Sequence, residues 1–165
     1  MHIFKIGAYV KLAKLWEKHA DAAIPMHHQY FERKYNGVKD SELVDVYIDI
    51  TGKKHIYQRK AMVQLLSDCK DGRVNTIVSQ TRAYLAANHQ EFCFLIHYLF
   101  GLSQYVDIVT EDKEYKIDTI TDRENQREEL ERMADALVRL KPSVYREWQH
   151  EVEIAIDGRR TGQIW

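Results

Sequence analysis

Apolar residues along this chain follow two alternating rhythms. Four short runs, 4–12, 43–50, 74–79 and 105–110, are dense in β-branched and aromatic residues and have the length of a buried strand. Between them the spacing turns helical. Within 58–70, Met62, Leu65, Leu66 and Cys69 recur at i, i+3, i+4 and i+7, and Gly72 follows as a stop signal. Within 88–100, Phe92, Leu95, Ile96 and Leu99 repeat the stripe, with Asn88 placed as an N-cap and Gly101 as the stop. Residues 14–36 read as two helices, the second opening at Pro25, because proline suits the first helical position. Strands alternating with helices predict an α/β fold, a mostly parallel sheet flanked by helices on both faces.

The C-terminal part has a different pattern. Residues 122–140 form an amphipathic helix with Leu130, Met133, Ala134, Leu137 and Val138 on one face. Pro142 breaks or kinks it. A second helical stretch carries Val144, Trp148, Val152 and Ala155 and ends near Asp157-Gly158. A boundary near Ile120 therefore separates an α/β domain, 1–120, from a C-terminal helical arm, 121–165. The arm has apolar surface to bury, either against its own body or in a dimer seam.

Composition narrows the function classes. The chain has 165 residues, enough for one domain with a real core, and it is 45% apolar with ten tyrosines. A net charge of -1 argues against a strongly basic nucleic-acid binder. Cys69 and Cys93 form no Cys-x-x-Cys pair, so neither a disulfide framework nor a zinc site is expected. No signal-peptide layout opens the chain. The longest apolar stretch, 92–102, is interrupted by His97 and is too short to span a bilayer. A cytoplasmic location without membrane contact is expected. His27 and His28 are helical neighbours that point about 100° apart, and no third ligand accompanies them. His89 and Cys93 share a helix face expected to pack on the sheet. Gly7 stands alone, without a glycine-rich phosphate loop. Neither a metal nor a cofactor is expected.

The candidate chemistry comes from a resemblance. The run Ile6-Gly7-Ala8-Tyr9-Val10-Lys11-Leu12-Ala13 resembles the first strand of the serine recombinase family (resolvases, invertases and large serine integrases). The family writes that strand Tyr-x-Arg-Val-Ser and ends it on the nucleophile. Tyr9 is kept, Lys11 stands for the arginine, and Ala13 stands for the serine. The run 43–52 is similar to the family's second strand, with Asp49 on its active-site aspartate and Thr51 on its turn serine. Arg59 matches the arginine that opens the next helix. The passage 68–78 resembles the family's helix, glycine and strand. The likeness covers 3–160 and is most specific over 43–111. After the third strand the family places two arginines that clamp the scissile phosphate. Tyr84 and Ala87 stand there instead, and Arg82 lies two positions early.

These departures bear directly on activity. A methyl group at position 13 cannot form a phosphoester. Each fixed cationic donor to the transition state is typically worth about 3–4 kcal/mol, and lysine in place of arginine gives up bidentate geometry. The resemblance thus implies a resolvase-like domain with vestigial site positions Tyr9, Lys11, Ala13, Asp49, Arg59, Tyr84 and Ala87. It implies a catalytically inactive protein acting by association in DNA recombination or mobile-element biology, as a homodimer or with an active recombinase. No separate DNA-binding domain is expected after the arm. Weak DNA contact would fall on Arg139, Lys141, Arg146, Arg159 and Arg160. Two alternatives stand beside this reading. One is residual DNA cleavage through a relocated nucleophile, Ser79 or Thr51. The other is a small-anion or nucleotide-binding regulatory domain using Lys11, Asp49 and Arg59. The four surviving polar positions also have a purely structural reading, in which Asp49 pairs with Lys11 or Arg59.

Overall fold

Strand β1 (Phe4–Leu12) is apolar on both faces because it lies inside a parallel sheet, with β2 (Ser41–Ile50) on one side and β3 (Thr76–Ser79) on the other. The computed structural model describes residues 2–161. Among these, four strands form one parallel sheet in the order β2-β1-β3-β4, with β4 at Asp107–Thr110. The helices are α1 (Ala20–Tyr35), α2 (Lys60–Lys70), the single turn α3 (Arg82–Leu85), α4 (His89–Phe100), α5 (Arg123–Leu140) and α6 (Pro142–Thr161). The expected fold class, a mostly parallel α/β sheet flanked by helices, is what the chain adopts.

The two faces of the sheet are covered unequally. Ile6, Ala8, Val10 and Leu12 point to one face and bury against Ala23 and Phe31 of α1. The other face carries the larger core, where Tyr9, Tyr47 and Ile77 meet α2, α4 and the C-terminal helices. Burying each such side chain stabilises the fold by about 1.5–3 kcal/mol. Gly7 permits the close approach of α2, since a Cβ there would sit 2.7 Å from Leu65 Cδ1. The strands also end by identifiable means. Gly72, at φ 78°, closes α2, and the N–H groups of Arg73 and Val74 donate to the Asp68 carbonyl. This turn delays β3 to Thr76, two residues later than its sequence suggests. On β4, Val109 bridges to Asp118, Ile108 N–H donates to Thr119 Oγ1, and Thr119 Oγ1 donates to Asp107. The segment around 117–119 thus shields that sheet edge.

Two expectations need correction. Pro25 does not open a helix. Residues 14–19 form a 3-10 helix (Lys14–His19), α1 starts at Ala20, and Pro25 lies inside it. The missing Pro25 N–H frees the Asp21 carbonyl, and both residues are exposed, so water can satisfy it. Nor does α6 stop at Gly158, which is buried within the helix. Arg159 bonds Gln64 and Arg160 bonds Asp71 at 2.7 Å, which fastens the last turn. Of the two places left open for the arm's stripe, the structure shows Leu130, Met133, Ala134, Leu137 and Val138 packed against the chain's own main core. Helix α5 lies on α4, and α6 lies on α2 and on the 3-10 turn Ile56–Gln58. Positions 162–165 of the arm lie outside the described residues.

Candidate polar site at the ends of the first two strands

Tyr9, Lys11 and Asp49 converge near the carboxyl ends of β1 and β2, where parallel α/β sheets commonly hold ligands. Lys11 and Asp49 are register partners. Tyr9 Oη donates to Asp49 Oδ2 at 2.7 Å. The Asp49 carboxylate also accepts from the N–H of Ala61 at 2.8 Å and of Met62 at 2.9 Å. It therefore serves the first turn of α2, whose own N-cap position, Arg59, makes no capping bond.

Arg59 is 1% exposed. Its Nη1 donates to Tyr9 Oη at 3.1 Å and to the Tyr84 carbonyl at 2.9 Å. Its Nη2 donates to the Leu85 carbonyl at 3.0 Å and, at 3.5 Å, to that of Lys54. Only its buried Nε lacks a partner. A cation this deep needs a counter-charge, and Asp49 supplies it through the shared Tyr9 hydroxyl. Burial raises the Tyr9 pKa, with Arg59 opposing and Asp49 reinforcing, so the phenol stays protonated and can bridge the two.

The remaining family positions do not join this cluster as side chains. Ala13 is exposed just beyond β1 and precedes the 3-10 helix without capping it. Tyr84 contributes its carbonyl, while its half-buried ring packs on both cores. Ala87 is exposed between α3 and α4. Lys11 is half-buried, and its pKa is lowered by burial and then by Arg59 and Lys54, against the pull of Asp49. The exposed Arg82 guanidinium lies 5.5 Å from the Tyr115 ring and 5.9 Å from the Phe92 ring, beside an open pocket that Asp112 also lines.

The two alternative nucleophiles differ in access. Ser79 is fully buried and its hydroxyl donates to the Tyr9 carbonyl at 2.7 Å. Thr51 is half-buried, and its Oγ1 accepts from Lys53 N–H at 3.1 Å. Arg139, Lys141 and Arg146 are exposed around the α5–α6 joint. Arg159 and Arg160 are held against the chain's own Gln64 and Asp71. Among the described residues no group of three His, Cys, Asp or Glu side chains could hold a metal. His27 is buried with Nδ1 unpartnered, and Cys93 Sγ sits 3.6 Å from His89 Nε2 with its thiol pushed up to about 11 by burial.

Sequence reasoning missed three contacts. Arg127 is stacked between the rings of Phe100 and Tyr105, 3.8 Å from each centroid, and donates to the Val106 carbonyl. Tyr47 donates to the buried Asp68 at 2.6 Å. His55 Nδ1 lies 2.5 Å from the buried Glu91 carboxylate and stacks on Tyr57. The hydrogen-bonded pairs lie 21 to 36 residues apart, beyond the reach of any helical or strand periodicity.

One prediction follows from the tyrosines. Burial is the first cause raising Tyr9, Tyr47 and Tyr98 above the ordinary value of 10.0. Above pH 10 the unfolded chain releases these protons while the folded chain keeps them, so folding is progressively disfavoured. Urea midpoints should hold from neutral pH to about 8, decline as the two buried cysteine thiols, raised above their ordinary value of 9.0, resist ionising, and fall more steeply above about 10. Tyr9→Phe should shallow that fall, and an unchanged alkaline slope would contradict the assignment.

No family model and no curated protein matches the sequence. Among solved structures, the N-terminal catalytic domain of TP901-1 integrase is similar, with a TM-score of 0.58 at 15% identity. The match covers 84% of this chain and 97% of that one. No helix among the described residues is long and apolar enough to cross a membrane. The carboxyl-end cluster of Tyr9, Lys11, Asp49 and Arg59 thus sits on a serine-recombinase-like α/β fold, the fold of an integrase catalytic domain.

Proposed function

We propose that this chain is a non-cleaving protein of recombinase-like fold that works by associating with another protein in DNA recombination or mobile-element biology. The observation that carries the reading is the state of the site. An exposed methyl group at Ala13 ends β1, and the Arg59 guanidinium is spent on backbone carbonyls and Tyr9. No cation from Tyr84 or Ala87 can replace it at a phosphate. Association is supported by apolar side chains left in water along the 3-10 helix and α1. Leu15 is 69% exposed and Met26 56%, with Trp16, Ile24 and Tyr30 also exposed.

The test has two arms. A nicked duplex that traps covalent intermediates should yield no protein–DNA adduct with the wild-type chain or with Ala13→Ser. The absent cationic donors should each cost about 10²–10³-fold in rate, so a restored hydroxyl alone leaves the product below detection. A covalent adduct with either protein overturns the non-cleaving reading. In the second arm, pull-down with the wild-type chain should retain an active recombinase or a second copy, and Trp16→Glu should lose it. Retention of neither overturns the association reading.

A further inference from the structure

The exposed side chains around Trp16 stand among cations. Residues 11–20 and 51–60 carry six lysines and a single carboxylate, Glu17, in a chain whose net charge is -1. The fold sets these two stretches side by side. Thr51 N–H donates to the Leu12 carbonyl at 3.0 Å, and the 3-10 helix Lys14–His19 lies against β2. Lys14, Lys18, Lys53 and Lys54 are exposed, and among the described residues none of the four is held in an ion pair. Asp49, the buried acid at this end of the sheet, is occupied by Tyr9 and by the N–H groups of Ala61 and Met62.

The 3-10 helix puts charge and apolar surface in register. Side chains three apart eclipse in such a helix. Lys18 therefore stands over Leu15, and His19 over Trp16, the two rings edge to face with centroids 6.1 Å apart. Leu15 is 69% exposed and Trp16 41%. An occupant must offer apolar side chains and anions next to one another. A duplex offers phosphates with no apolar side chains between them, and Glu17 would face those phosphates. A bilayer requires one continuous apolar face, yet the exposed Ile24 and Met26 point about 160° apart around α1. An acidic amphipathic protein segment meets both demands. Its apolar side chains cover Leu15 and Trp16, and its carboxylates reach the lysine ammonium groups.

We propose that the surface around Trp16 docks an acidic amphipathic segment of a partner protein, with Leu15 and Trp16 as the anchor and Lys14, Lys18, Lys53 and Lys54 as the charge that selects it. The inference rests on the association reading and names the chemistry of the partner. Trp16 supplies most of the affinity, as buried aromatic anchors do at protein interfaces. The lysines ring that anchor at solvent-exposed positions, where charge sets specificity and the rate of encounter more than affinity.

Fluorescence anisotropy on the full chain tests it, with a labelled helical peptide of glutamate and leucine, its glutamine counterpart, a labelled duplex DNA and labelled phosphatidylserine vesicles as probes. The acidic peptide should bind at least about 10-fold tighter than the glutamine peptide, and the advantage should vanish at about 1 M salt. Reversing the four lysines together, Lys14→Glu/Lys18→Glu/Lys53→Glu/Lys54→Glu, should weaken the acidic peptide by about 10–100-fold, and four glutamines should weaken it less. Trp16→Ala should weaken both peptides by about 30-fold. All four lysines are exposed, so urea midpoints of these variants should match the wild type. Equal affinity for the two peptides, indifference to charge reversal, or tighter binding to the duplex or the vesicles would overturn the proposal. The two readings fail separately. If the charge-reversed chain still retains in pull-down a partner that Trp16→Glu loses, association stands and the acidic assignment falls.

Discussion

Replacing Arg59 with methionine lowers the free energy of unfolding by about 3–5 kcal/mol, the range for breaking a buried charged pair on one side. The stem of methionine fills part of the space, so the loss isolates the guanidinium. Without it, the carbonyls of Tyr84 and Leu85 lose their donor, and α3 loses its tie to the start of α2. Asp49 keeps its two backbone donors but loses its buried counter-charge, leaving the half-buried Lys11 as the cation beside it. Arg59→Lys keeps the charge yet reaches fewer of the four acceptors, so it should recover part of the loss. Urea denaturation monitored by tryptophan fluorescence measures both. A loss below about 1 kcal/mol for methionine would mean that the guanidinium is not structural and is free to bind a ligand.

The second large effect is at Asp49. Asp49→Ala should cost about 3 kcal/mol or more, since it strips α2 of its acceptor and leaves Arg59 a buried cation without its counter-charge. Asp49→Asn should rescue little. The two carboxylate oxygens accept from different N–H groups, Ala61 on one and Met62 on the other. An asparagine has one acceptor oxygen, and its amide NH2 would face one of those N–H groups. Paired with Arg59→Met, Asp49→Asn should cost less than the sum of the single changes, because both charges leave together. Strict additivity would show that Tyr9 does not couple the two.

The fold was legible in the sequence where burial and periodicity coincide. Strand β1 runs over 4–12 as its apolar run demands, and the stripes at 62–69 and 92–99 became α2 and α4. Two features resisted for physical reasons. An apolar stripe says that a face is buried but not by what, so residues 130–138 fitted a seam as well as the chain's own core. A proline says that one N–H is missing, and Pro25 shows that an exposed helix can tolerate that loss. The candidate site was legible as a set but not as an arrangement. Tyr9, Asp49 and Arg59 do meet, while Tyr84 joins through its main chain and Ala87 stands off. That distinction depends on which way a short turn faces, and turn orientation has no pattern of its own.

The Tyr9–Asp49–Arg59 trio joins three segments, its two side-chain links spanning 40 and 50 residues of sequence. It closes two long loops of the chain, alongside the buried Ser79 hydroxyl that bonds the Tyr9 carbonyl. Losing any one of the three residues costs folding first, whatever else the residue does. Their presence is therefore a signature of architecture. A tyrosine, an aspartate and an arginine at these places report on how the chain is held together, and they report nothing on what it does.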